Sequence, residues 1–135
     1  MIKIITGTKG SGKTKILVDM INSAAGATSG NVICIEKGMN LTFDISHKVR
    51  LVATEDYDIE GFDMLFGFVA GILAGNYDIT DVFIDGILKI GGRKYDELAK
   101  ILDKLNALSG DNINLVITVS ENSSALPESV IKYVG

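Results

Sequence analysis

The chain has 135 residues, with 47% apolar and 22% charged side chains, one domain's worth of a globular composition that excludes a mainly disordered or collagen-like chain. Thirteen basic against seventeen acidic side chains leave a net charge of −4, so nonspecific binding to nucleic acid is a poor fit. The single cysteine, in Val32-Ile33-Cys34-Ile35, cannot form an internal disulfide and is expected as a buried thiol in a reducing cytoplasm.

Ile2 to Thr6 is predicted as the first strand and ends at a glycine. Lys13 to Ala25 places Ile16, Leu17, Met20, Ile21 and Ala24 on one face of a helix. Gly26 to Gly30 ends that helix, and Asn31 to Glu36 is the second strand. A less regular stretch, Lys37 to Lys48, leads to a third strand at Val49 to Ala53. Gly61 to Ala74 is apolar nearly all round, which predicts a largely buried helix. Gly67, Gly71 and Gly75 recur along it and read as close packing on the sheet, in preference to a subunit contact. After the turn Asn76-Tyr77-Asp78, the fourth strand runs from Asp81 to Gly86. Tyr95 to Leu108 is amphipathic, with Leu98, Ile101, Leu102, Leu105 and Leu108 inward and Asp96, Lys100, Asp103 and Lys104 solvated. Asn114 to Val119 is the fifth strand. Pro127 suits the first turn of a closing helix to Val134, although Val130 to Val134 reads equally as a sixth strand. Short strands alternating with helices imply βαβ units and one α/β domain over residues 1–135, built on a mainly parallel sheet. The longest apolar stretch, Met64 to Ala74, is too short to span a bilayer, and the N-terminus lacks a signal-peptide pattern. The expected location is the cytoplasm, without a membrane.

The strongest motif is Gly7-Thr8-Lys9-Gly10-Ser11-Gly12-Lys13-Thr14, which matches G-x-x-x-x-G-K-[ST] at every fixed position. It follows a predicted strand and opens a predicted helix, as its chemistry requires. Glycines there permit backbone angles that turn several N–H groups toward one anion, and the helix N-terminus adds partial positive charge. Lys13 is then placed for the β- and γ-phosphates and the Thr14 hydroxyl for Mg²⁺. A second element, Val82-Phe83-Ile84-Asp85, is an apolar strand ending in an acid. An unpaired carboxylate at the end of a buried strand is costly, so Asp85 is the candidate metal-site acid.

These two motifs together resemble a P-loop nucleoside triphosphatase. Two strands lie between the phosphate loop and Asp85, which is similar to the RecA-like branch. That resemblance implies a three-layer fold with about five strands in the order 3-2-4-5-1. It covers the whole chain, but only the loop and the Asp85 strand are specific. It implies a phosphate-binding set of Gly7, Thr8, Gly10, Ser11, Gly12, Lys13, Thr14 and Lys15, with Thr14 and Asp85 at the metal. It also implies a water-activating acid after the second strand, which falls on Glu36 and makes Glu36 and Lys13 the catalytic pair. The γ-phosphate sensor at the end of the fifth strand falls on Thr118, Ser120 or Glu121. The chain also resembles small stand-alone bacterial ATP-binding proteins labelled after twitching-motility ATPases, although the histidine and aspartate boxes of the motors are missing.

Asp85 is followed by Gly86, so the Asp-Glu pair of many ATPases is absent and hydrolysis rests on Glu36. Arg50 and Arg93 are the only arginines, too few for the clamping lid of a small-molecule kinase. Arg93 follows the Asp85 strand on a flexible loop, as a solvated residue or a finger toward a nucleotide. His47, the one histidine, reads as a surface residue. No [NT]-K-x-D guanine-reading motif is present, so ATP with Mg²⁺ is the expected ligand. The expected function is ATP binding with weak Mg²⁺-dependent hydrolysis; the alternative is a non-hydrolysing, nucleotide-dependent regulatory or assembly module. Beyond the nucleotide, the expected partner is a second copy or another protein, because the first strand would leave a bare sheet edge.

Overall fold

A computed structural model describes residues 1–41 and 43–135 of the chain. Five apolar runs form strands: β1 (Ile2–Thr6), β2 (Asn31–Glu36), β3 (Val49–Ala53), β4 (Ile79–Ile84) and β5 (Asn114–Val119). They make one all-parallel sheet in the order β1-β5-β4-β2-β3. Counted from the β3 edge, the same neighbours read 3-2-4-5-1. Around it lie α1 (Lys13–Ala27), α2 (Phe62–Gly75), α3 (Ile87–Gly91), α4 (Tyr95–Ser109) and α5 (Glu128–Ile131).

Both faces of the sheet are covered, which is why the strands read as continuous apolar runs. Successive residues serve opposite cores. Ile33, Ile35, Val82, Ile84, Leu115 and Ile117 pack with Leu65 and Val69 of α2 and Leu98 and Leu102 of α4. Val32, Cys34, Phe83 and Val116 pack with Leu17, Ile21 and Ala25 of α1. Cys34 is fully buried, and burial pushes its thiol up to about 12, so it is an inert packing group.

Three expectations are corrected here. In α1 the buried stripe is Lys13, Leu17, Ile21 and Ala25, and Ile16 is 50% exposed. At 3.6 residues per turn, Ile16 points about 120° away from the centre of that stripe. In α2 only Phe62, Leu65, Val69 and Leu73 are buried, while Met64 is 47% exposed. Gly67, Gly71 and Gly75 face outward, and a Cβ on any of them would meet nothing within 4 Å, so close packing does not explain them. The sheet touches only one side of this helix, and its outer side carries too few polar residues to reveal that from the pattern. Finally, the run after Pro127 is a short helix followed by a single parallel bridge between Val134 and Ile4, with the Ile4 N–H donating to the Tyr133 carbonyl at 2.8 Å. The β1 edge is therefore covered at Ile4 rather than bare.

β4 starts and stops two residues before its predicted limits. An Asn76 side-chain oxygen accepts from the Asp78 N–H at 2.9 Å, tightening the turn so that pairing begins at Ile79. At the far end Gly86, with φ of 68°, turns the chain out of the strand and into α3. Asp85 is thus the first residue beyond β4. Among the described residues no helix is long and apolar enough to cross a membrane.

Candidate phosphate-binding site

The loop between β1 and α1 turns on two glycines with left-handed backbone, Gly10 (φ 86°) and Gly12 (φ 89°). Gly12 is the N-cap of α1, no side chain caps it, and the first turn of α1 carries no acid. Orphan N–H groups at that helix end therefore keep their preference for an anion. Beside them lies a cavity of about 490 Å³ lined by Thr8, Lys9, Gly10, Lys13 and Thr14 from the loop and helix. Its other walls are Asp85, Gly86, Leu88 and Lys89 after β4, Arg93, and Ser120 and Glu121 after β5. It sits outside the carboxyl ends of the strands, the usual place for a ligand in an open α/β sheet.

Lys13 is only 8% exposed, and its ammonium donates to the Thr8 carbonyl at 3.4 Å. Among the described residues it has no ion pair. Burial lowers its pKa, the Asp85 charge opposes that, and Lys89 adds to it. A buried cation without an ion pair, its burial only partly offset by Asp85, is a group prepared for an incoming anion.

Asp85 is held from two sides. Its N–H donates to the Ile35 carbonyl at 2.8 Å, and its Oδ1 accepts from the Thr118 hydroxyl at 2.8 Å. Thr118 is fully buried, and its Oγ1 also accepts the Gly86 N–H at 2.7 Å. Thr118 is therefore a positioning residue that aims the carboxylate, leaving Ser120 and Glu121, just past β5, as the residues there that reach the cavity.

Other predicted residues lie elsewhere. Gly7 donates its N–H to the Glu121 carbonyl at 3.0 Å, and a Cβ there would stand 2.3 Å from Ser11 Oγ. Ser11 spends its own N–H on the Thr8 carbonyl at 3.1 Å. Both shape the loop instead of lining the cavity. Lys15 points into solvent and pairs with Asp19 at 3.6 Å, one turn along α1. Glu36 is the largest departure. It is 2% exposed, does not line the cavity, and its two oxygens accept the N–H groups of Asn40 (3.1 Å) and Leu41 (3.3 Å). Burial raises its pKa, against the lowering effect of those two hydrogen bonds. That is the setting of a group anchoring the segment after β2.

Arg93 does not stand free on a flexible loop. Ile90 and Gly91 belong to α3, whose Gly91 abuts Phe62 so closely that an added Cβ would lie 2.1 Å from its ring. Arg93 pairs with Glu121 at 3.5 Å, and Glu121 also accepts from the Tyr95 hydroxyl at 2.7 Å and the Asn122 N–H at 2.9 Å. These bonds, the Tyr95 hydroxyl first, hold the Glu121 carboxyl below its ordinary range and make it a poor proton acceptor. His47 is exposed. Sequence reasoning missed Lys89 and Tyr95; the only available signal was a lysine four residues after Asp85. No family model matches the chain, and no curated protein matches it.

Proposed function

We propose that the chain binds Mg²⁺-ATP in this cavity, as a P-loop nucleoside triphosphatase of the RecA-like branch, and hydrolyses it slowly at most. The carrying observation is one cavity in which a buried, unpaired Lys13 at an uncapped helix start faces Thr14 and the clamped Asp85. The neighbour order 3-2-4-5-1 supports the branch. The residues present fit a magnesium ion of the kind held mostly by phosphate and water. Thr14 offers a hydroxyl and Asp85 a carboxylate with one oxygen not engaged by Thr118, and among the described residues no three His, Cys, Asp or Glu gather as a closed metal site. When bound, such an ion neutralises charge on the terminal phosphates. The chain's own part is to cradle the phosphates with α1 amides and Lys13 and to aim Asp85 through Thr118.

Slow hydrolysis follows from the two nearby glutamates. Glu36 does not line the cavity and is bound to backbone amides, and Glu121 is tied to Tyr95, Arg93 and Asn122. Neither is a free base beside an attacking water. The same observation favours the second reading, a module that cycles by binding and acts on a protein partner or a second copy. A cytoplasmic setting suits both, given ATP and an unoxidised thiol. Calorimetric titration with ATP tests binding, and phosphate release with and without magnesium tests turnover. Absence of ATP binding would remove the whole proposal; binding without measurable release would select the module.

Asp85→Asn keeps an acceptor for Thr118 but loses the charge, so ADP affinity should lose most of its dependence on magnesium, with a melting temperature close to the parent's. An identical magnesium effect in variant and parent would show that Asp85 does not serve the metal.

A further inference from the structure

We propose that Lys89 contacts the terminal phosphate of a bound nucleoside triphosphate and sets the preference for triphosphate over diphosphate; this rests on the nucleotide reading above. The chain has two arginines, and neither is free for that contact. Arg50 is exposed on β3, outside this cavity, and Arg93 is paired with Glu121. Lys89 lines the cavity together with Lys13, Thr14 and Asp85, is exposed, and has no ion pair among the described residues.

Its placement is firm although its end is free. The Lys89 N–H donates to the Gly86 carbonyl at 2.9 Å, and the Gly86 N–H is held by Thr118, the residue that also holds Asp85. One buried hydroxyl thus fixes both the acid and the start of the helix that carries Lys89. The lysine stem runs beside Gly86, 3.4 Å from where a Cβ would stand. Lys89 also lines a second cavity of about 490 Å³, whose other walls include Glu55, Asp58 and Glu60, none within ion-pair distance. An ammonium between these two spaces gains a charge-assisted contact only when a further phosphate extends past the reach of α1.

Calorimetry with ADP and with the non-hydrolysable analogue adenylyl imidodiphosphate tests this in parent, Lys89→Gln and Lys89→Arg. The parent should bind the analogue more tightly than ADP. Lys89→Gln should weaken the analogue by about fivefold or more while leaving ADP within about twofold, and Lys89→Arg should restore much of the preference. An unchanged ratio of the two affinities in Lys89→Gln, or equal weakening of both nucleotides, would overturn this role and leave the nucleotide reading standing. A parent that binds neither nucleotide overturns both. Lys89 is exposed, so a melting curve that matches the parent's is expected for each variant.

Discussion

Lys13→Ala is expected to weaken ATP binding roughly ten- to a hundredfold, the equivalent of losing one charge-assisted contact worth about 1.5–3 kcal/mol. The ammonium lies in the cavity against the Thr8 carbonyl with no ion pair among the described residues, so the fold already carries its desolvation. A phosphate would supply the missing charge. For the same reason the nucleotide-free variant should not lose stability through charge: alanine removes a penalised cation, and what remains is a modest loss of buried stem. Calorimetry for affinity and a melting curve for the fold separate the two effects. Full ATP affinity in a well-folded variant would sink the phosphate-loop assignment.

The parts of this molecule that were legible in the sequence are those where local chemistry and tertiary structure ask for the same residues. Strands β1, β2, β3 and β5 have the predicted limits, because an apolar run bounded by polar residues is all a doubly covered strand needs. The turn between β1 and α1 was legible because Gly10 and Gly12 adopt backbone that other residues rarely take. What was not legible depends on which side of an element meets a neighbour. The glycines of α2 read as packing residues only until the sheet is seen to lie on the other side. Glu36 and Asp85 show the same limit at a single atom. Both are acids at strand ends, yet one is turned to the amides of Asn40 and Leu41 and the other is aimed into the cavity by a threonine on β5. Nothing within either strand distinguishes them. The short helix α3, which positions Lys89, was hidden because five residues bounded by Gly86 and Gly92 and ending in Gly91 look like loop, and because its support, Phe62, comes from another helix.

Glu36→Gln is expected to leave turnover per folded molecule within about threefold of the parent, whereas removing a general base typically lowers a rate by about 10² or more. The effect should appear in stability. Glutamine retains one acceptor oxygen, so either the buried Leu41 N–H or the part-buried Asn40 N–H loses its partner, a loss of up to about 1–3 kcal/mol if it is Leu41's, offset in part by removing a buried charge. The pH dependence identifies the cause. Burial raises the Glu36 pKa above the ordinary 4.5, so the folded chain holds that proton more firmly than the unfolded chain does. Its contribution is therefore fully present below the unfolded value and is lost as pH rises through the raised folded value. The parent's advantage in melting temperature over Glu36→Gln should shrink as pH rises above the ordinary carboxylate value. An advantage that grows with pH would mean that the hydrogen bonds from Asn40 and Leu41, with Lys89 adding to them, outweigh burial at this carboxylate. A tenfold loss of turnover in a variant that melts like the parent would return Glu36 to the reaction itself, and the anchoring bonds to Asn40 and Leu41 would then have to open for each cycle.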